Sequence, residues 1–142
     1  MIAANPGEDP RPMARIASGG ELSRIHLALR TVLRSRKNST SLTLLFDEVD
    51  SGLGGATAAA LAELLAELAV TDQVIVVTHL PQVAARAAGH FRVEKVLAEN
   101  RAVTRAAPLE GVEREAEVAR MLAGDELTES AHAHSRVLLD GA

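Results

Sequence analysis

Residues 42–48 read Leu42-Thr43-Leu44-Leu45-Phe46-Asp47-Glu48: a short apolar run that ends in two adjacent carboxylates. A second apolar run, Val74-Ile75-Val76-Val77-Thr78, ends directly at His79. Between them a glycine-rich turn, Ser51-Gly52-Leu53-Gly54-Gly55, leads into residues 56–69. There Leu61, Leu64, Leu65 and Leu68 fall on one helical face, and Glu63 and Glu67 on the wet side. Strand, helix and strand in this order predict a parallel βαβ unit with a right-handed crossover. Both strands, over about 42–46 and 73–78, are expected to be buried. Asp47, Glu48 and His79 then share the carboxyl edge of one sheet, the edge at which parallel sheets bind ligands.

Working outward, residues 17–24 read Ala17-Ser18-Gly19-Gly20-Glu21-Leu22-Ser23-Arg24 and open a helix over about 20–36. Leu22, Ile25, Leu29, Val32 and Leu33 line one face of it at i+3/i+4 spacing. Arg30, Arg34, Arg36 and Lys37 crowd its C-terminal end, where they complement the helix dipole. Residues 5–12, rich in proline, form a loop. Downstream, Pro81 suits the first turn of a short helix and Gly89 its C-cap. Residues 91–97 and 102–107 read as a hairpin, with Asn100 in the turn. Two helices, about 113–123 (ended by Gly124) and 128–139, close the chain. There is no internal repeat or sustained heptad pattern.

Composition narrows the class. The chain has 142 residues, 47% of them hydrophobic, enough for one domain or a piece of one. Its aromatics are Phe46 and Phe91, so the core is built of Leu, Val, Ile and Ala. That suits helices packed on a sheet. A net charge of −4 argues against a large DNA-binding face on this segment. Zero cysteines exclude disulfides and thiolate metal sites and fit a reducing cytosol. No secretory signal is evident, and no apolar run approaches the ~18 residues of a membrane helix.

The chemistry gathers at three points. Ser18 and Glu21 form a capping box at the start of the first helix. The capping box leaves Gly19 and Gly20 unexplained, since glycine costs roughly 0.8–1 kcal/mol against alanine inside a helix. Bare N–H groups at the positive end of a helix do explain them, because a phosphate can approach closely there. Asp47, the first residue off its strand, suits Mg²⁺ directly or through water. Glu48 suits an attacking water as general base. His79, at the same edge, suits a hydrogen bond to a γ-phosphate. His132 and His134, at i and i+2 of a helix, diverge and make a poor metal pair. His26 and His90 have no partners in the sequence. A phosphate-cradling loop of the form G-x-x-x-x-G-K-[ST] is missing, because neither Lys37 nor Lys95 follows a glycine. The sequence therefore carries half of an ATP site.

These motifs resemble those of the ABC-type ATPases. Residues 17–24 resemble the signature motif, 42–48 the Walker B motif, 50–55 the D-loop, and Val77-Thr78-His79 the switch-histidine segment. Transporters of that superfamily usually continue Walker B as E-P-T-S-A-L-D, whereas here it continues EVDSGLGG. The runs NPGE, ARIASGGELSRIHLALRTVL, LLFDEVDSGLGG and VTHLPQVAARA resemble the RecN family, bacterial SMC-like DNA repair ATPases. The likeness covers about residues 2–140.

That resemblance implies an α/β fold: the C-terminal lobe of an ABC/SMC-type P-loop NTPase head, over residues 1–142. It has a mostly parallel sheet flanked by helices, a β-hairpin and two C-terminal helices. The N-terminal P-loop lobe of the same protein and a coiled coil would lie outside this fragment. Two heads would dimerise around ATP. Ser18, Gly19 and Gly20 would then act in trans, on the γ-phosphate held by the partner head. Asp47 would serve Mg²⁺, Glu48 the water and His79 the γ-phosphate, while Asp50 and Ser51 would cross the dimer interface. The full-length protein would couple ATP hydrolysis to DNA double-strand-break repair in the bacterial cytoplasm, at the nucleoid, with DNA and no membrane as its partner. The fragment alone is expected to be inactive. Two alternatives stay open: the matching lobe of another SMC-like or ABC-type ATPase, and a non-enzymatic interaction module.

Overall fold

The computed structural model describes residues 19–33, 41–98, 101–124 and 128–141. Ser18, the 5–12 loop, Arg34, Arg36, Lys37 and Asn100 lie outside the described residues. The element order is α1 (Gly19–Leu33), β1 (Thr43–Phe46), α2 (Gly55–Ala69), β2 (Gln73–Val76), α3 (Pro81–Arg86), β3 (His90–Ala98), β4 (Arg101–Leu109), α4 (Gly111–Ala123) and α5 (Glu129–Asp140). The chain divides into two compact units, residues 1–53 with 67–78, and residues 54–66 with 79–142.

In the first unit β1 and β2 pair in parallel, with Thr43 opposite Gln73 and Phe46 opposite Val76. The ladder is extended at both ends by Gln73 N–H to Leu42 O (2.8 Å) and Val77 N–H to Phe46 O (2.9 Å). Asp72 accepts from the Leu42 N–H, and the Thr43 hydroxyl donates to Gln73, which pins the register at the strand starts.

The strands are not buried on both sides, as their unbroken apolar runs had suggested. Leu44 and Phe46 are 5% and 1% exposed, but Leu45 between them is 63% exposed and Ile75 is 46% exposed. Side chains alternate across a strand, and among the described residues only one face of this pair is packed. The α2 stripe behaves as read: Leu61, Leu65 and Leu68 are buried, Leu64 is half-buried, and Glu63 and Glu67 are exposed.

The apolar stripe of α1 is mostly left open. Leu22, Leu29 and Val32 are exposed, while Leu27 is buried. The face that α1 turns inward runs through Gly20, Arg24 and Leu27, one helical turn apart each time. His26 sets its ring against Phe46, with centroids 5.5 Å apart.

In the second unit α3, α4 and α5 pack together. Ala119, Ala131 and Ser135 are nearly or wholly buried, small enough for helices to approach closely. Thr128 caps α5 by accepting from the Ala131 N–H. Gly124 ends α4 at φ 75°, as its sequence position suggested. Gly89 does not cap α3; Ala87 does, in extended conformation, and the Arg114 guanidinium closes that end. It donates to the carbonyls of Ala84, Ala85 and Ala87, acceptors that a helix end leaves open.

Strands β3 and β4 form an antiparallel pair nine residues long on each side, from His90 opposite Leu109 to Ala98 opposite Arg101. At its base Glu117, 6% exposed, takes both ends of the Arg120 guanidinium and lies 4.0 Å from Arg92. The Arg120 hydrogen bonds, with the nearby charges, hold the Glu117 carboxyl below the usual carboxylate range against the opposing effect of burial. Burial pushes the neighbouring His90 below the ordinary imidazole value, and Arg114 adds to that effect.

Candidate functional site

The site begins where β1 stops. A parallel ladder sends both strands out at the same edge, so Asp47 leaves the sheet beside Val77 and Thr78. Asp47 and Glu48 are both exposed. Glu48 adopts φ 56°, the left-handed region, and is the single non-glycine residue described at positive φ. A tight turn follows, with the Ser51 N–H donating to Glu48 O at 3.0 Å and the Leu53 N–H to Asp50 O at 3.0 Å. Val49 points inward and is fully buried.

The two residues expected at an interface divide. Ser51 is exposed, but Asp50 is 2% exposed and accepts from the Thr78 hydroxyl. The Asp50 carboxylate thus ties the end of β1 to the end of β2 inside this unit instead of facing outward. His79, exposed, follows Thr78 in the chain and falls in the second unit.

The N-terminus of α1 lies against this turn. Ser23 Oγ donates to Asp47 O at 2.7 Å. Arg24 Nη1 donates to Ser51 O at 2.9 Å and to Val49 O at 3.3 Å. Gly20 is buried, and a β-carbon on it would sit 2.6 Å from the Glu48 carbonyl oxygen and 3.0 Å from Ser51 Cβ. On Gly19, which is exposed, a β-carbon would sit 2.7 Å from Glu48 Oε2. Two carboxylates and the glycine start of a helix are therefore gathered within one unit.

Sequence comparison identifies relatives for nearly the whole chain. It is 51% identical over 140 residues, 99% of its length, to the DNA repair protein RecN of Deinococcus radiodurans. It is 44% identical over 98% of its length to the RecN of Halalkalibacterium halodurans, and 42% identical over its full length to that of Bacillus subtilis. Along its whole length the chain resembles RecN proteins. It spans about a quarter (24%) of the length of those RecN proteins. No family model matches it. The fold is similar to a solved chain from structural work on ATP-driven dimerization and DNA-stimulated activation of SMC ATPases. The TM-score is 0.53 at 23% identity, over 84% of this chain and 70% of the other.

Three features of the candidate site are not legible in the sequence. Phosphate contact was the reason offered for Gly19-Gly20, yet Gly20 is also required because its own chain's Glu48 carbonyl occupies the space of a side chain. Ser23 and Arg24 were read as part of a motif but not as ligands of the 47–51 loop. Their one sequence signal is position: they lie one helical turn beyond the glycines and share their face. The resemblance implies an interface role for Asp50, and nothing in EVDSGLGG marks it as the acceptor for a threonine 28 residues away.

Proposed function

We propose that the chain is the C-terminal lobe of the ATPase head of a RecN-like DNA repair protein. The rest of that protein supplies the P-loop lobe and coiled coil, and a second head joins through ATP. The observation that carries this reading is the exposed Asp47-Glu48 pair at the carboxyl edge of a parallel sheet, beside the glycine start of α1. Asp47 and Glu48 offer hard oxygen donors to a metal–phosphate group, and the glycine start of α1 offers the positive end of a helix to a second such group, on the partner head.

The donor set fits Mg²⁺ held with the nucleotide. Among the described residues no group of three or more carboxylate, His or Cys side chains converges. Asp47 would hold the metal together with phosphate and water oxygens, as Mg²⁺ prefers. When bound, Mg-ATP supplies the phosphoryl group under attack and neutralises part of its charge. Glu48 takes the proton from the attacking water. His79 donates a hydrogen bond toward the γ-phosphate. Ser18, Gly19 and Gly20 present the helix start to the γ-phosphate of the partner head, and exposed Ser51 crosses to that head with Asp50 anchoring the loop behind it. DNA is engaged by the full-length protein. No described helix is long and apolar enough to cross a membrane.

Glu48→Gln in the full-length protein tests the reading. The amide keeps the shape but accepts no proton, so ATP binding persists while turnover falls by roughly 10²–10⁴-fold. Turnover near the wild-type rate refutes the role of Glu48 as base.

A further inference from the structure

We propose that Ser23 and Arg24 are positioning residues for Glu48, forming a latch between α1 and the loop after β1; this rests on the reading of Glu48 as the base. Glu48 is exposed, so burial does not hold it, yet it adopts φ 56°. For a residue with a β-carbon that region is sterically disfavoured, and an unrestrained exposed loop leaves it. Here three successive carbonyls are held. Asp47 O receives the Ser23 hydroxyl (2.7 Å), Glu48 O receives the Ser51 N–H (3.0 Å), and Val49 O receives Arg24 Nη1 (3.3 Å).

A peptide unit is planar. Fixing the carbonyls on both sides of the Glu48 α-carbon therefore fixes its φ and ψ, and with them the direction in which its Cα–Cβ bond sets out. The carboxylate then comes to rest beside Gly19. Arg24 also grips Ser51 O at 2.9 Å, so one guanidinium nitrogen ties the second residue of the turn to its last. A lysine ammonium is a compact point charge on a flexible stem, without the fixed donor geometry of guanidinium. Helix-surface serine and arginine side chains usually face water or their own helix. These two reach backbone 24 to 27 residues away, and all their described bonds end on the 47–51 loop.

The test uses the full-length protein with Arg24→Gln, Arg24→Lys and Ser23→Ala. Misplacing a reacting group by about 1 Å can cost about 10²-fold, so Arg24→Gln lowers kcat by roughly 10–10²-fold while the ATP dissociation constant holds. Arg24→Lys falls between. Hydrogen exchange of the Ser51 N–H speeds up in both, and in a Glu48→Gln background Arg24→Gln lowers turnover no further. A general structural staple would instead lower turnover by the same factor whether or not Glu48 is present. That result overturns the latch, as does wild-type kcat alongside faster Ser51 exchange. Should Arg24→Gln fail to fold, Ser23→Ala, which removes one hydroxyl, is read the same way. Full turnover in Glu48→Gln alone is a separate result: it overturns the base assignment, and the latch falls with it.

Discussion

Gly20→Ala separates two reasons for the same glycine. The added β-carbon would meet Glu48 O at 2.6 Å, Ser51 Cβ at 3.0 Å and Arg24 Nη1 at 3.2 Å. The first two are backbone or close to it and cannot swing aside. Bringing Glu48 O from 2.6 Å to the 3.4 Å where ordinary contact begins displaces the turn by about 0.8 Å. Forcing an extra carbon into a packed site costs typically about 1–3 kcal/mol, and the helix gains back about 1 kcal/mol on replacing glycine by alanine. The net is a loss of about 1 kcal/mol, or roughly 3–4 °C in Tm for a chain of 142 residues. Circular dichroism melting of the chain measures it. Gly89→Ala is the control, because nothing lies within 4 Å of its β-carbon position. Gly19→Ala is a second comparison: its β-carbon meets the far end of the Glu48 side chain at 2.7 Å, which can step aside by rotation about its χ angles, so it melts close to wild type. If Gly20→Ala melts at or above wild type, the close approach of the Glu48 carbonyl is not what requires glycine there, and the phosphate argument stands alone.

Two further outcomes follow from the packing and the charges. Leu68→Ala, at a residue 1% exposed, costs about 2–5 kcal/mol, whereas Leu45→Ala, at one 63% exposed, costs far less in the isolated chain; denaturant midpoints of the two variants check the ranking. His90 sits below its ordinary value of 6.5 through burial and Arg114. The unfolded chain therefore takes up a proton near pH 6.5 that the folded chain refuses until lower pH. Its contribution is whole above that pH and is lost as pH falls through the folded value. Thermal midpoints decline from pH 7 toward pH 5, and His90→Gln flattens that limb; an unchanged slope in the variant refutes the assignment.

Local pattern made most of the fold legible. The α2 leucines announce a buried stripe because helical spacing alone puts them on one side, and Gly124 announces the end of α4 because it can take positive φ. What pattern could not show was which faces this chain covers. Leu44-Leu45-Phe46 is equally apolar on both sides, so sequence cannot tell one packed face from two, and Leu45 proved open. The α1 stripe has the same ambiguity: Leu22, Leu29 and Val32 are regularly spaced, but the inward face was set by hydrogen bonds from Ser23 and Arg24 to a loop more than 20 residues away. In the candidate site, residue types and strand ends pointed to Asp47 and Glu48, both of which lie exposed at the sheet edge. The burial of Asp50 and the second reason for Gly20 depend on tertiary approach, which no local spacing encodes.

The left-handed backbone at Glu48 sets folding and chemistry at odds in a single residue. Glycine would fit φ 56° freely and asparagine would fit it better than glutamate. A library of this chain sorted purely for thermal survival would drift toward those residues at position 48, and on the proposed role of Glu48 its winners would be sturdier proteins without a base. On the proposed role of Glu48 as base, selection for turnover would keep glutamate there, and any effort to harden the chain by consensus or computation would have to hold that position fixed.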